Sequence, residues 1–205
     1  MTFTEYPELE QRSEEWFKQR RGLVTASAVG TLITPKTIKP AANPKSRALT
    51  EQLVAERISG WTDPTHMNDD MWRGVLEEDR AIGVYSEHYA PVDRSGFMTE
   101  DRFGFTIGYS PDGKVSSDGL VEVKCPRAKT HVQTILADAV PENNMAQVQC
   151  ALLVTGRDWC DFVSFVGGLP LYVKRVEPDE RWQAAIVDAV GAFEAIAAKQ
   201  VSDYN

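Results

Sequence analysis

The chain has 205 residues, of which 42 % are hydrophobic and 25 % charged, with a formal net charge of −8; these values fit one globular domain spanning 1–205 and exclude a disordered or fibrous chain. No stretch reaches the roughly 18–20 apolar residues of a membrane helix, and the three cysteines (Cys125, Cys150, Cys160) lack the close pairs of a zinc site. The charge is uneven: residues 1–60 hold nine Lys/Arg against seven Asp/Glu, and residues 61–205 hold thirteen against twenty-three. That balance suits a metal site that meets a phosphate ligand, and a plain acidic enzyme equally well.

The opening stretch lacks the basic-then-apolar progression of a signal peptide, so none is expected, and the odd cysteine count predicts reduced thiols in a cytoplasm. In SEEWFKQRRG, Ser13 as N-cap, Glu14 and Glu15 in the first turn and Gly22 beyond the end predict a short helix. A second short helix is expected over TASAVGTLI. An exposed, proline-rich loop follows over TPKTIKPAANPK. SRALTEQLVAERISG carries apolar residues at helical spacing and stops at Gly60. After the polar loop WTDPTHMNDD, MWRGVLEEDRAIGVYSEHY predicts a long helix. The period then changes. GFTIGYS and GLVEVKC alternate between turn signals and predict adjacent strands. RAKTHVQTILADAVPENN is read mainly as a loop, PENNMAQVQCALLVTG as a helix crossing between strand pairs, WCDFVSFVG and LYVKRVEP as strands, and DERWQAAIVDAVGAFEAIAAKQ as a closing helix. The fold class is therefore α/β, a central mixed β-sheet flanked by helices.

The stretch SPDGKVSSDGLVEVKCP carries the chemistry. Alternation puts Glu122 and Lys124 on one face of a strand, with Val121, Val123 and Cys125 on the other. Asp112 sits in a Pro-Asp-Gly turn; if the chain folds back there, Asp112 lies near Glu122. Two carboxylates that close repel unless a cation or proton joins them, and Mg²⁺ prefers oxygen ligands. Lys124 beside them can bind a phosphate oxygen or help deprotonate water. The plainer alternative is a DG hairpin followed by an edge strand with a surface ion pair. His66, His88 and His131 lack ligand spacing and are expected at the surface or as caps; Trp16, Trp159 and Trp182 are expected in the core or an interface. The plainer readings make Met71 or Trp72 core, Ser27 a helix N-cap, Arg20 a solvated helix-end charge and Gln147 a solvent-facing residue.

Four blocks in order, WFKQRRGLVTAS, RGVLEEDRA, SPDG with LVEVKCP, and MAQVQCALLVTG, resemble the phage lambda exonuclease and YqaJ-type viral recombinase family of PD-(D/E)xK nucleases. The resemblance implies a restriction-endonuclease-like core. It also implies an ATP-independent 5′-to-3′ exonuclease on double-stranded DNA that leaves 3′ overhangs for recombination by single-strand annealing. It implies Mg²⁺, as two ions with Mn²⁺ able to substitute, held by Glu78, Asp112, Glu122 and the carbonyl of Val123. Glu78 rather than Glu77 fits the G-x3-E-x2-A register. Lys124 orients or activates the attacking water, and Gln147, ahead of Gln149, orients the site. Arg20, Ser27 and Ser110 match positions that hold a terminal 5′-phosphate, and Met71 one that separates the strands. Relatives assemble as a ring of three, so the resemblance implies a homotrimer ring on DNA ends, an overhang that a single-strand annealing protein can use, and the cytoplasm of a phage's bacterial host. Rival readings are an endonuclease of the same core and a DNA-end-binding module with an idle metal site. The missing fourth cysteine disfavours an iron–sulfur variant.

Overall fold

The computed structural model describes residues 2–64 and 67–205; His66 lies outside them. Two four-stranded mixed sheets make up the β layer. One runs β1 (Thr4–Tyr6), β5 (Phe97–Glu100), β6 (Ile107–Tyr109), β2 (Val24–Thr25); the other runs β10 (Tyr172–Val176), β9 (Trp159–Ser164), β8 (Gly119–Lys124), β7 (Gly113–Val115). The short strands β3 (Ile33–Thr34) and β4 (Lys39–Pro40) form a hairpin inside the segment expected to be a loop.

Helices cover this layer. They are α1 (Glu14–Arg20), α2 (Ala26–Val29), α3 (Pro44–Ser59), α4 (Asp69–His88), α5 (Ala128–Ala137), α6 (Glu142–Thr155) and α7 (Glu180–Tyr204). Local chemistry sets their ends. The Ser13 hydroxyl accepts from the Trp16 N–H at the start of α1. Asn43 and Ser46 cap each other at α3, and Gly60 closes it at φ +66°. Asp179 accepts from the Arg181 and Trp182 N–H groups at α7. The chain after Pro126 forms α5 instead of a loop, and His131 within it is buried, its ring against Ser164 Oγ (2.8 Å) and the Pro170 carbonyl (3.1 Å). His88 is exposed in the last turn of α4.

Strand pairing corrects the expectation that GFTIGYS and GLVEVKC are neighbours: β6 pairs with β5 and β2, and β8 with β7 and β9. The reversal also moves. The chain turns at Ser116–Asp118, between β7 and β8, and not at Pro111–Gly113. α5 and α6 make the crossover between the parallel strands β8 and β9. β8 is therefore an interior strand, which removes the edge-strand alternative. Its Leu120 joins the main core beneath α6 and α7, while Val121 and Val123 pack with Ala81, Ile82 and Tyr85 of α4. A polar brace holds that second layer: buried Asp161 accepts from Tyr85 Oη at 2.7 Å and from the exposed Arg175 Nε and Nη2 at 2.8 and 2.9 Å. Arg175 in turn lies 3.6 Å over Trp159. Trp182 is core. No described helix is long and apolar enough to cross a membrane, and the three cysteines are free.

Candidate active site

Gly113 pairs with Val121, so Asp112 stands opposite Glu122 at the open end of the β7–β8 hairpin. A Cβ on Gly113 would stand 2.1 Å from Val92 of the loop before β5 and 2.9 Å from Val121 of β8, so glycine lets that loop and β8 pack against this position. Asp112 Oδ2 accepts from the Val123 N–H at 2.7 Å. Glu122 is 1 % exposed, and its Oε1 accepts from Lys124 Nζ at 2.7 Å and from Gln147 Nε2 of α6. Tyr109 Oη donates to Glu122 Oε2 at 3.5 Å. Gln149 faces elsewhere, donating to the Glu177 carbonyl and accepting from the Asp179 N–H, a tie between α6 and α7.

Two loops brace the turn before β7. Gln11 Nε2 donates to the Pro111 carbonyl at 2.8 Å, and Arg94 Nη1 to the Asp112 carbonyl at 3.0 Å. Arg94 also pairs with Glu78 Oε1 at 3.4 Å and with Asp79, while Arg12 lies 3.5 Å from Glu78 Oε2. Glu78 thus projects from α4 toward Asp112. Glu77, one helix step away, lies beside Cys125 and Gly167, its Oε2 buried without a hydrogen bond.

Electrostatics links the three acids. Burial, and then the Glu122 carboxylate, pushes Asp112 up to about 7, against the pull of Lys124 and the Val123 N–H. Burial and then Asp112 raise Glu78, against Arg12 and Arg94. For Lys124, burial alone lowers the pKa, but Glu122 and Asp112 outweigh it, and the net direction is up. Among the described residues no three Asp, Glu, His or Cys side chains already surround one point; Lys124, Arg12 and Arg94 occupy the carboxylates instead. The donor set still fits a hard divalent cation: carboxylate oxygens that repel one another and that a cation would relieve.

Next to the acids lies a cationic pocket. Arg20 Nη1 donates to Ser110 Oγ at 2.7 Å, and Nη2 lies 3.3 Å from both Thr25 Oγ1 and Ser27 Oγ. Trp16 Nε1 donates to Ser110 Oγ at 3.0 Å, and the Arg20 guanidinium stacks 4.1 Å from the Trp16 ring. Burial pushes Arg20 down to about 10, with Glu56 opposing. Among the described residues no carboxylate pairs with it. The structure thus gathers Arg20, Ser27 and Ser110, and adds Thr25 and Trp16. Trp16 is half-buried and belongs to this pocket, not to the core, and Ser27 lies inside α2, where Thr25 holds the N-cap position. The pocket opens into a cleft of about 610 Å³ shared with Met71, whose side chain is 42 % exposed. Thr25 was within reach of the sequence, since it opens the TAS block; Arg12, Gln11, Arg94 and Tyr109 reach the site only through long-range folding.

Residues 15–158 match the YqaJ-like viral recombinase domain, so the chain belongs to the YqaJ-like viral recombinase family. Its fold is that of the crystal structure of an alkaline exonuclease (LHK-Exo) from Laribacter hongkongensis, at 31 % identity over 94 % of this chain and 96 % of that one, TM-score 0.84. The same exonuclease in complex with dAMP matches at 32 % identity over the same shares, TM-score 0.83. A phage-related exonuclease from Haemophilus somnus 129PT, 15 % identical over 89 % of this chain and 96 % of that one, shares the fold at TM-score 0.70. No curated protein matches the chain.

Proposed function

We propose that this family member is a divalent-cation-dependent, ATP-independent DNA exonuclease that enters linear duplex at a 5′ end and degrades that strand 5′ to 3′. The product is a 3′ single-stranded overhang. One observation carries the reading: a half-buried arginine with no carboxylate partner among the described residues donates to the hydroxyl of Ser110, two residues before the acid Asp112. A pocket that prefers an outside anion therefore adjoins a carboxylate cluster on one segment of chain.

Each residue has a physical task. Arg20 offers a planar fork to a terminal phosphate, with Ser27, Thr25 and Ser110 completing its hydrogen bonds and the Trp16 ring fixing its plane. Met71, at the mouth of the cleft, parts the terminal base pairs. Held this way, the strand presents its first phosphodiester to the acids, a gain in orientation. Lys124 carries a positive charge to that phosphate and orients the attacking water, and Gln147 and Tyr109 fix the two oxygens of Glu122. Mg²⁺ ions, or Mn²⁺ in their place, held by Glu78, Asp112, Glu122 and the Val123 carbonyl, would supply the charge that neutralises the phosphate and lowers the pKa of the water. The proposal extends to residues 1–205 acting as one nuclease domain, to a homotrimer ring around the duplex in a bacterial host's cytoplasm, and to delivery of the overhang to a single-strand annealing protein.

The test sets linear duplex beside a covalently closed circle, each in Mg²⁺ and in EDTA. Loss of the linear substrate alone, and only with Mg²⁺, is the expected result. Cutting of the circle points to an endonuclease; binding of ends without cutting points to an end-binding module.

A further inference from the structure

Arg12 holds a left-handed backbone conformation, φ +72°, which crowds the Cβ of any residue but glycine. Such conformations persist where neighbours enforce them, and they gather at functional sites. Both neighbours are anchored: Gln11 donates to the carbonyls of Pro111 and Ser95, and Ser13 caps α1. Glycine would satisfy the backbone without strain, so the arginine side chain is what this position carries. That side chain is 48 % exposed, and among the described residues its one ion pair is to Glu78 Oε2 at 3.5 Å, with no hydrogen bond. A half-exposed pair at that distance contributes little stability. Arg12 also lines the cleft that holds Trp16, Arg20, Ser27 and Met71.

We infer that Arg12 is a further DNA-contacting residue. Its guanidinium binds a phosphodiester of the strand gripped by the Arg20 pocket, where that strand passes beside Glu78. Glu78 engages only one edge of the fork, which leaves several of its five donors for phosphate oxygens. Arg94 holds the other oxygen of Glu78, so the acid keeps a partner when Arg12 turns to DNA. This inference rests on the exonuclease reading for the identity of the strand, but its test does not need cleavage.

Binding of a 5′-phosphorylated linear duplex is measured by fluorescence anisotropy in EDTA over a salt series, for wild type, Arg12→Gly and Arg12→Lys, beside thermal unfolding of each. Arg12→Gly is expected to bind about tenfold more weakly. Its log–log salt slope is expected to be shallower by about 0.7–0.9, the signature of one lost phosphate contact. Its Tm stays level or rises, because glycine accepts the backbone conformation. Arg12→Lys restores most of the slope. Wild-type affinity and slope in Arg12→Gly overturn the inference, and so does a lysine variant of wild-type Tm that fails to recover the slope. Wild type that binds duplex yet leaves it intact in Mg²⁺ defeats the exonuclease reading and spares Arg12; wild type that cleaves, with Arg12→Gly binding normally, does the reverse.

Discussion

Two charged clusters meet at Pro111, and they are built oppositely. On one side, Asp112, Glu122 and Glu78 are acids whose charge the chain itself offsets, through Lys124, Arg12 and Arg94. On the other, Arg20 is a half-buried cation offered only hydroxyls and an aromatic face. The acid side is held ready by internal partners that an incoming cation would replace. The basic side keeps its charge for a ligand from outside. Burying a charge without a counter-ion is unfavourable, so the lone arginine marks where an anion belongs more sharply than the paired acids mark a metal.

The largest effects should come from the acid side. Asp112→Ala, Glu122→Ala and Lys124→Ala are each expected to lower the cleavage rate by at least about two to three orders of magnitude while circular dichroism stays that of wild type; near-normal turnover of Lys124→Ala would remove lysine from the chemistry. Glu78→Gln should lose about a hundredfold or more in rate and Glu77→Gln almost nothing, since only Glu78 faces Asp112; the opposite pattern shifts the register by one residue. On the basic side, losing one neutral hydroxyl is milder: Thr25→Ala or Ser27→Ala should slow 5′-phosphorylated substrate by roughly two- to tenfold, read as initial rates.

The smallest effect is on stability. Asp112 is raised above its ordinary value of 3.8 to about 7, so folding favours its protonated form. The stability this form contributes is present below the ordinary value and is lost as pH rises through about 7. Asp112→Asn removes the repulsion, and in EDTA at pH 8 its Tm should exceed that of wild type by about 3–6 °C. That margin should shrink toward pH 4. A lower Tm at pH 8 would mean the hydrogen bond to the Val123 N–H outweighs the repulsion.

Much of this was legible in the sequence because the informative residues are local. Alternation along Leu120–Lys124 assigns the faces of β8 correctly, and the caps at Ser13 and Gly60 mark helix ends. β5 went unseen because all four of its residues are buried, which erases the alternation that betrays a strand. α5 went unseen because its polar surface and the following proline read as loop, and His131 was misplaced for the same reason. The arginines bracketing Glu78 come from positions 66 and 16 residues away in sequence, a distance no spacing rule reaches.

The most direct measurement compares initial rates on 5′-phosphorylated and 5′-hydroxyl duplex, in Mg²⁺, for wild type and Arg20→Ala. Wild type should prefer the phosphorylated end by about tenfold to a hundredfold, the worth of a charge-assisted contact, and Arg20→Ala should lose most of that preference. An undiminished preference in Arg20→Ala, or none in wild type, would contradict a nuclease that grips the 5′ end of DNA through this pocket.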